Sequence, residues 1–240
     1  MSSFIALFLK FIKLTRVIYY AGQANMQCKK RARSKAAKSE RKDAIIAAAD
    51  TLLRQSGYDV MTMQAVAVEA GLGKGTLYLY FSSREELVLD VYGRLFDKWI
   101  DQFTLHVDGV TGVEEFCQNF CYYYKGDTLF LKMTGFVISL MEPQLDRVSY
   151  IKGKRAMARR VKKLAGIACQ RLRMTPVLAQ KFIWGLLTIA SGATQMSMRH
   201  SHSSGNFPED VTVFIGSTSF ETVFLNAAVP LCAGIMQADQ

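Results

Sequence analysis

The sequence predicts an all-α protein in which a small N-terminal domain of three helices, including a helix-turn-helix, precedes a larger helical domain. Apolar residues recur at intervals of three and four through most of the chain, which is the spacing of one helix face. No segment shows the alternation of apolar and polar residues that indicates a half-buried strand. Half of the 240 residues are hydrophobic, so the chain can bury a core large enough for this architecture.

The first helix is predicted over residues 39–56, where Ile45, Ala49 and Leu53 share one face. Gly57 is expected to end it, because glycine readily adopts the left-handed conformation that terminates helices. This helix should support the two shorter helices that follow.

The helix-turn-helix is predicted over residues 62–81. Thr62 is a good N-cap for its first helix, and its second helix is expected from Lys74 to Tyr80. Gly71 lies where the turn between these helices requires a positive φ. The spacing therefore predicts two helices joined by a tight turn.

The second of these helices carries polar groups suited to a nucleic acid. Lys74 supplies a cation, and Thr76, Tyr78 and Tyr80 supply hydroxyls. Gly75 lets backbone N–H groups approach a phosphate closely. A helix with this decoration fits the major groove of DNA, whereas a merely packed hairpin would not need these exposed groups.

A third helix is predicted from Ser83 to about residue 106. Ser83 and Glu86 form the pattern of a capping box, in which each side chain accepts from the other residue's backbone N–H. Arg84 lies at the positively polarised end of this helix, which disfavours a cation unless it binds an anion. We therefore expect Arg84 to contact a phosphate.

Residues 47–87 resemble the DNA-binding domain of the tetracycline-repressor-like (TetR) family of bacterial regulators. The matching motifs are Gly57-Tyr58, Thr62, Glu69-Ala70-Gly71, Gly75-Thr76-Leu77-Tyr78, Tyr80-Phe81 and Glu85-Glu86-Leu87. The chain departs from the family at Gly73, where a capping Ser or Thr is usual, and at Leu79, where a polar base-reading residue is common. The resemblance implies a ligand-released repressor that binds a palindromic DNA operator as a homodimer.

The expected DNA contacts fall into two groups. Lys74, Tyr78, Tyr80 and Arg84 should contact phosphates, and Gln64, Thr76 and Leu79 should face bases. The full set of expected DNA-binding residues is Thr62, Gln64, Lys74, Gly75, Thr76, Tyr78, Leu79, Tyr80 and Arg84.

The composition also favours a polyanionic partner. The formal net charge is +10 and the pI is about 9.4. Basic residues cluster before the first predicted helix, where they form either an arm that follows DNA or a solvated tail. These residues are Lys29, Lys30, Arg31, Arg33, Lys35, Lys38, Arg41 and Lys42.

Residues 1–25 fit neither a membrane span nor a signal peptide. Lys10, Lys13 and Arg16 interrupt the apolar run, each at a cost of roughly 2.5 to 3.5 kcal/mol near a bilayer centre. The segment suits a basic amphipathic helix, so a membrane-associated protein is an alternative function. We expect instead that Met26 is the native start and that the preceding segment packs loosely.

The expected domains are 1–38, an N-terminal extension with the basic arm; 39–84, the DNA-binding domain; and 85–240, a helical effector-binding and dimerisation domain. Helices of this last domain are predicted over 112–125, 127–141, 144–173, 176–199 and 209–228. By resemblance, the last two form a four-helix interface with a second subunit. An ordinary intrachain core is the alternative.

The effector is expected to be an unknown small molecule. By analogy with the family, its pocket is lined by Phe103, Phe116, Phe120 and Tyr123, although an aromatic helix face is also typical of a core. The basic run over 147–173 is interpreted as a solvated face, with an anionic effector or a second DNA contact as alternatives.

No enzyme, cofactor or metal site is predicted. The three histidines lack partners at ligand spacing, and the sequence has no nucleophile elbow, Walker loop or dinucleotide fingerprint. The five cysteines form no CxxC pair, which fits a reducing cytoplasm. Cys117 and Cys121 share a helix face and permit a thiol sensor, but packing is the favoured interpretation. A small-molecule-binding or interaction protein that has lost DNA function is a further alternative, motivated by Gly73 and Leu79.

Overall fold

The computed structural model describes residues 36–110, 112–137, 141–197, 207–217 and 219–237. The expectations for residues 1–25 and for the basic residues at positions 29–35 lie outside these residues. Within them all regular structure is helical, as the sequence predicts.

Ten α-helices and one short 3-10 turn make up the described structure. The helices are α1 over 36–60, α2 Met63–Glu69, α3 Lys74–Tyr78, α4 Arg84–His106, α5 Val113–Lys125, α6 Thr128–Phe136, α7 Arg147–Leu172, α8 Pro176–Ser197, α9 Glu209–Ser217 and α10 Phe220–Gln237. The 3-10 turn spans Glu142–Gln144. We call α1–α3 the reading head and α4–α10 the body.

The reading head has a small core of its own. Ile45 and Ala49 of α1, Val66 of α2 and Leu77 of α3 are all fully buried. These are the apolar positions that the helical spacing selects, so the burial of a single face holds each short helix in place. Lys38, Arg41 and Lys42 already lie within α1 and therefore do not belong to a separate arm.

Helix α4 connects the reading head to the body. Its buried face begins with Leu87 and Val88 beside the head and continues to Trp99 and Phe103 in the body. One continuous helix thus contributes side chains to both cores.

Helices α4 and α7 run parallel and are joined by a ladder of ion pairs. Three acidic residues of α4, and Asp108 just after it, pair with basic residues of α7 that lie 62 or 63 positions later in the chain. The pairs are Asp90–Lys152, Asp97–Arg160, Asp101–Lys163 and Asp108–Arg171. These four basic residues of α7 are therefore ion-paired. The sequence analysis interpreted the basic run over 147–173 as a solvated face.

Aromatic side chains fill the centre of the body. Trp99 contacts Phe103, Phe120, Tyr124 and Phe130, with ring centroids 4.8 to 5.9 Å apart. These rings come from α4, α5 and α6, and rings of α8 and α10 close the cluster from the other side. Edge-to-face and stacked pairs of this kind add stability beyond the area that they bury.

The predicted bounds of the last helix are wrong. The sequence predicts one helix over 209–228, whereas the structure has α9 and α10, and α10 continues through Pro230 to Gln237. Ser219 begins the new helix, because its Oγ accepts a hydrogen bond of 3.2 Å from the N–H of Thr222. The α-helical part of α6 ends at Phe136, and Val137 and Met141 are π-helical.

The predicted helix starts at Thr62 and Ser83 are confirmed. Thr62 Oγ1 accepts from Ala65 N–H at 3.1 Å, and Ser83 Oγ accepts from Glu86 N–H at 3.1 Å. The returning half of the capping box differs, because Glu86 accepts from the N–H and the hydroxyl of Ser82. Among the helices that the structure describes, none has both the length and the apolar character needed to cross a bilayer.

Candidate nucleic-acid interface

The turn between α2 and α3 has the backbone geometry that the sequence predicts. Gly71 has a φ of +65°, and the N–H of Leu72 donates to the carbonyl of Ala67 at 2.8 Å. Gly73 precedes α3 in an extended conformation and provides no side-chain cap. The first N–H groups of α3 therefore have no side-chain acceptor at the N-cap position.

Helix α3 buries one side chain and exposes its polar face. Leu77 is fully buried against α2, whereas Lys74 and Gly75 are exposed. Tyr78 is 46% exposed and Leu79 is 78% exposed. A hydrophobic side chain this exposed at the end of α3 has no packing role in the isolated chain.

The remaining expected contacts surround this face. Thr62 and Gln64 are exposed at the start of α2, while Thr76 and Tyr80 are partly buried. All of them belong to the short segment from residue 62 to residue 80. Most of the expected base-facing and phosphate-facing groups of α2 and α3 are therefore exposed, and their contacts with DNA stay a prediction.

Arg84 differs from the others because it is bound within the protein. Its Nη2 donates to Tyr58 Oη at 2.9 Å, and its guanidinium lies 4.0 Å from the centre of the Tyr58 ring. Its Nη1 donates to the carbonyl of Met61 at 3.4 Å. Arg84 therefore fastens the start of α4 to the end of α1, and its place as a phosphate contact stays a prediction.

Tyr58 is the centre of this contact, and the sequence analysis names it only as part of the Gly57-Tyr58 motif. Its hydroxyl donates to Glu85 at 3.0 Å, and its ring lies 4.5 Å from that of Phe136 in α6. Burial, followed by the hydrogen bond to Glu85, raises the pKa of Tyr58. The residue joins the head to two helices of the body.

The reading head is also tied to the body by ion pairs that the sequence did not reveal. Arg54 of α1 donates from two nitrogens to Asp127, at 2.8 and 3.0 Å. Asp127 is the N-cap of α6 and accepts from the N–H groups of Leu129 and Phe130. No local pattern links residues 73 positions apart, so only the tertiary structure identifies this pair.

Two comparisons of sequence agree with this geometry. Residues 45–91 match the family described as bacterial regulatory proteins, tetR family. The chain is 35% identical over 65 residues to the HTH-type regulator YfiR of Bacillus subtilis, and 37% identical over 62 residues to the HTH-type repressor KstR of Mycolicibacterium smegmatis.

The part of the chain that holds the helix-turn-helix is thus similar to TetR-family regulators. Each of these matches covers 26–27% of this chain and 30% of the relative, so the chain spans less than a third of the curated relatives it matches. The predicted helix-turn-helix and the predicted all-helical fold are confirmed. The family consists of transcriptional regulators and not of enzymes.

Solved structures extend the similarity of fold to the body. A TetR-family regulator from Streptomyces coelicolor has a TM-score of 0.52 and 15% identity, with coverage of 82% of this chain and 98% of that one. The multidrug binding protein EbrR, solved with imidazole, has a TM-score of 0.52 and 14% identity, over 81% of this chain and 94% of that one. At such identities the likeness concerns the fold alone.

The expected effector residues are packed against one another. Phe103, Phe116 and Phe120 are fully buried in the aromatic cluster, and Tyr123 stacks on His106 with ring centroids 4.7 Å apart. The indole N–H of Trp99 is buried in the same cluster without a hydrogen-bond acceptor among the described residues. A pocket at these positions requires the rings to separate.

The cysteines described in the body are packed as apolar groups. Cys117, Cys121 and Cys232 are buried, and burial raises the pKa of Cys121 to about 12. A hydrogen bond with Cys117 and burial also raise the pKa of Cys232. Such thiols are poor nucleophiles at neutral pH, which agrees with the packing interpretation.

Proposed function

We propose that this chain is a TetR-family repressor that binds a palindromic DNA operator as a homodimer and is released by a small molecule. The observation that carries the proposal is the exposed polar face of α3, on a head whose core occupies only the opposite face. Such a helix fits the major groove, where its side chains reach base edges and phosphates. The repressor KstR, which is 37% identical over 62 residues, supports the sign of regulation.

The division of labour among the contacts follows from their chemistry. We propose that Lys74, Tyr78 and Tyr80 contact phosphates, with Arg84 as a fourth contact if it can serve Tyr58 and DNA together. Gln64, Thr76 and Leu79 then face bases, and Thr62 and Gly75 present backbone groups to the phosphates. The proposed domains are 39–84 for DNA and 85–240 for effector and dimer.

The homodimer is proposed to form through α8 and α10. Trp184 of α8 is 47% exposed and Leu231 of α10 is 43% exposed. The only charged residue of α8 is Lys181, and the only one of α10 is Glu221, which pairs with Lys125. An exposed surface of this apolar character is typical of a subunit interface.

The effector is proposed to enter the aromatic cluster of the body, at Phe103, Phe116, Phe120 and Tyr123. The unsatisfied indole N–H of Trp99 supports this proposal, because a ligand with an acceptor atom would satisfy it. EbrR, which shares the fold, is described as a multidrug binding protein. The reading heads can take a position that binds DNA and one that does not. A ligand can weaken DNA binding by no more than the difference between its affinities for these two states.

The test is a titration of the protein against its own upstream DNA and a scrambled duplex at several salt concentrations. Lys74→Ala should weaken binding to both duplexes alike and reduce the salt dependence, whereas Thr76→Val should change the preference between operator variants. Lys98→Ala is the matched control, because it removes an exposed lysine of α4 away from the head surface. Equal loss for cognate and scrambled DNA in both variants would contradict these roles.

A further inference from the structure

A cavity of about 300 Å³ lies where the reading head meets the body. Its walls come from α1, through Lys42 and Ile46, from α4 and from α7. None of Phe103, Phe116, Phe120 and Tyr123 lines it, although Tyr92, which does, stacks on Phe130 of the aromatic cluster. Its volume is at the lower end of the range for small-molecule sites.

The base of the cavity is apolar. Ile46, Leu89, Val137, Ala156 and Met157 contribute to its lining. A Cβ added at Gly153, which also lines it, would lie 2.9 Å from Leu89 Cδ2, so the Leu89 side chain would have to shift to admit a larger residue there. A short aliphatic or aromatic group would find apolar surface on three helices.

The rim of the cavity carries an excess of positive charge. Five cationic side chains and three carboxylates line it, a difference of two charges: Lys42, Arg94, Lys152, Arg159 and Arg160 against Glu86, Asp90 and Asp97. Each of the three carboxylates is already paired with a cation. Arg159 has neither an ion pair nor a hydrogen bond with any described residue, so its guanidinium is available to an anion.

We propose that this cavity binds a small carboxylate with a short apolar group, and that its occupancy is linked to the position of the reading head. The apolar part lies on the base and the carboxylate binds Arg159, because a guanidinium pairs with a carboxylate through two parallel hydrogen bonds. A cation of the same size would meet the excess positive charge of the rim.

The link to the head rests on the proposed function and on one shared residue. Asp90 pairs both with Lys42 of α1 and with Lys152 of α7, whose Nζ also lies 3.2 Å from Glu86. A carboxylate bound at Arg159 adds negative charge to the rim that Lys152 also lines, and its attraction for Lys152 weakens the pairs of Lys152 with Asp90 and Glu86. This changes the network that holds α1 against the body, so carboxylate and DNA affinities become coupled.

The experiment uses hexanoate, hexylammonium and acetate as probes, titrated into the full chain by calorimetry. Hexanoate should bind, while acetate should bind more weakly and hexylammonium should not bind. Arg159→Gln should weaken hexanoate by about tenfold, the effect of losing one charge-assisted contact. Arg155→Gln is the matched control, because Arg155 is exposed one turn earlier on α7 and does not line the cavity.

A second variant tests the site without changing its charge. Ala156→Phe fills the cavity and should abolish hexanoate binding, with its thermal unfolding compared with that of the parent chain to show that it folds. Equal affinity for hexanoate in Arg159→Gln and Arg155→Gln, or no hexanoate binding by the parent chain, would overturn the proposed site. Binding of hexylammonium as tight as that of hexanoate would overturn the ligand class.

The linkage is measured separately from the site. Hexanoate should change operator affinity in the parent chain and leave it unchanged in Ala156→Phe. Unchanged operator affinity in a parent chain that binds hexanoate would overturn the linkage. A chain that binds no operator at all would contradict the proposed function, whereas the calorimetric titration would still decide on the cavity.

Discussion

Gly71 is the residue whose conformation the helix-turn-helix most requires. Its φ of +65° lies in the left-handed region, and an added Cβ would meet no atom within 4 Å. A substitution there is thus limited by backbone strain and not by space. The left-handed conformation costs an L-residue roughly 1 to 2 kcal/mol.

We therefore expect Gly71→Ala to lower the free energy of unfolding by about 1 to 2 kcal/mol in urea titrations. Gly75→Ala is the matched control, since its site is equally open and its φ is not in the left-handed region. Alanine favours helix there, so the control should be neutral or stabilising. An equal loss in both variants would show that the turn does not depend on its left-handed residue.

Asp127 serves at once as helix cap and as ion-pair partner. Burial alone would raise the pKa of its carboxyl, but the Arg54 guanidinium and the N–H groups of Phe130 and Leu129 outweigh this and lower it. A lowered pKa in the folded protein means that the ionised group stabilises the fold above the unfolded pKa, near 3.9. This stability is lost as the pH falls through the folded value.

Asp127→Asn should lower the free energy of unfolding by about 1 kcal/mol at pH 7, since asparagine still caps the helix but cannot pair with Arg54. The difference from the parent chain should shrink as the pH falls below about 4. Unfolding titrations at pH 7 and pH 3 measure it. Asp59→Asn, at an exposed residue with no contact given by the structure, should show no such trend.

At the scale of elements, the ion pairs between α4 and α7 contribute unequally to stability. The Arg160 side chain is 17% exposed, donates two hydrogen bonds to Asp97 and donates another of 2.8 Å to the carbonyl of Gly93. The Lys163 and Asp101 side chains are 52% and 66% exposed. Partly buried, bidentate pairs contribute more than solvated ones.

Arg160→Gln should therefore destabilise the protein by about 1.5 kcal/mol, and Lys163→Gln by less than about 0.5 kcal/mol. Thermal or urea unfolding at low salt and at high salt distinguishes them. The small effect at Lys163 should vanish at high salt, while most of the effect at Arg160 should remain. Equal losses of stability in the two variants that both disappear at high salt would mean that both ion pairs behave as solvent-exposed pairs.

At the scale of the whole molecule, the surface formed by α8 and α10 is expected to decide the assembly. A Cβ added at Gly185 would lie 3.2 Å from Leu231 Cδ2, so the two helices are close beside Trp184. A second copy would bury this surface on both sides of a two-fold axis. Two heads held one helical turn of DNA apart can then read a palindrome.

Trp184→Glu should convert the dimer to a monomer in sedimentation equilibrium, because a carboxylate cannot be buried there without a partner. The variant should also lose selective affinity for the operator. Leu105→Glu is the matched control, since Leu105 is 75% exposed on α4 and lies outside this surface. A Trp184→Glu chain that remains dimeric would place the interface elsewhere.

The sequence by itself determined the helices and the helix-turn-helix, because these depend on residues near one another in the chain. Thr62, Gly71 and Ser83 act through hydrogen bonds and φ angles within a few residues, so their positions were predictable. The break before α10 at Ser219 was missed, since apolar spacing continues across it.

Only the tertiary structure decided which side chains meet across the fold. The Arg54–Asp127 pair and the ladder between α4 and α7 join residues 62 to 73 positions apart, and no local pattern specifies such partners. The same holds for the cavity at the head, which exists only because α1, α4 and α7 converge there. Interactions between residues near one another in the chain specified the helices of the reading head. Contacts between residues far apart in the chain specified how the reading head packs against the body.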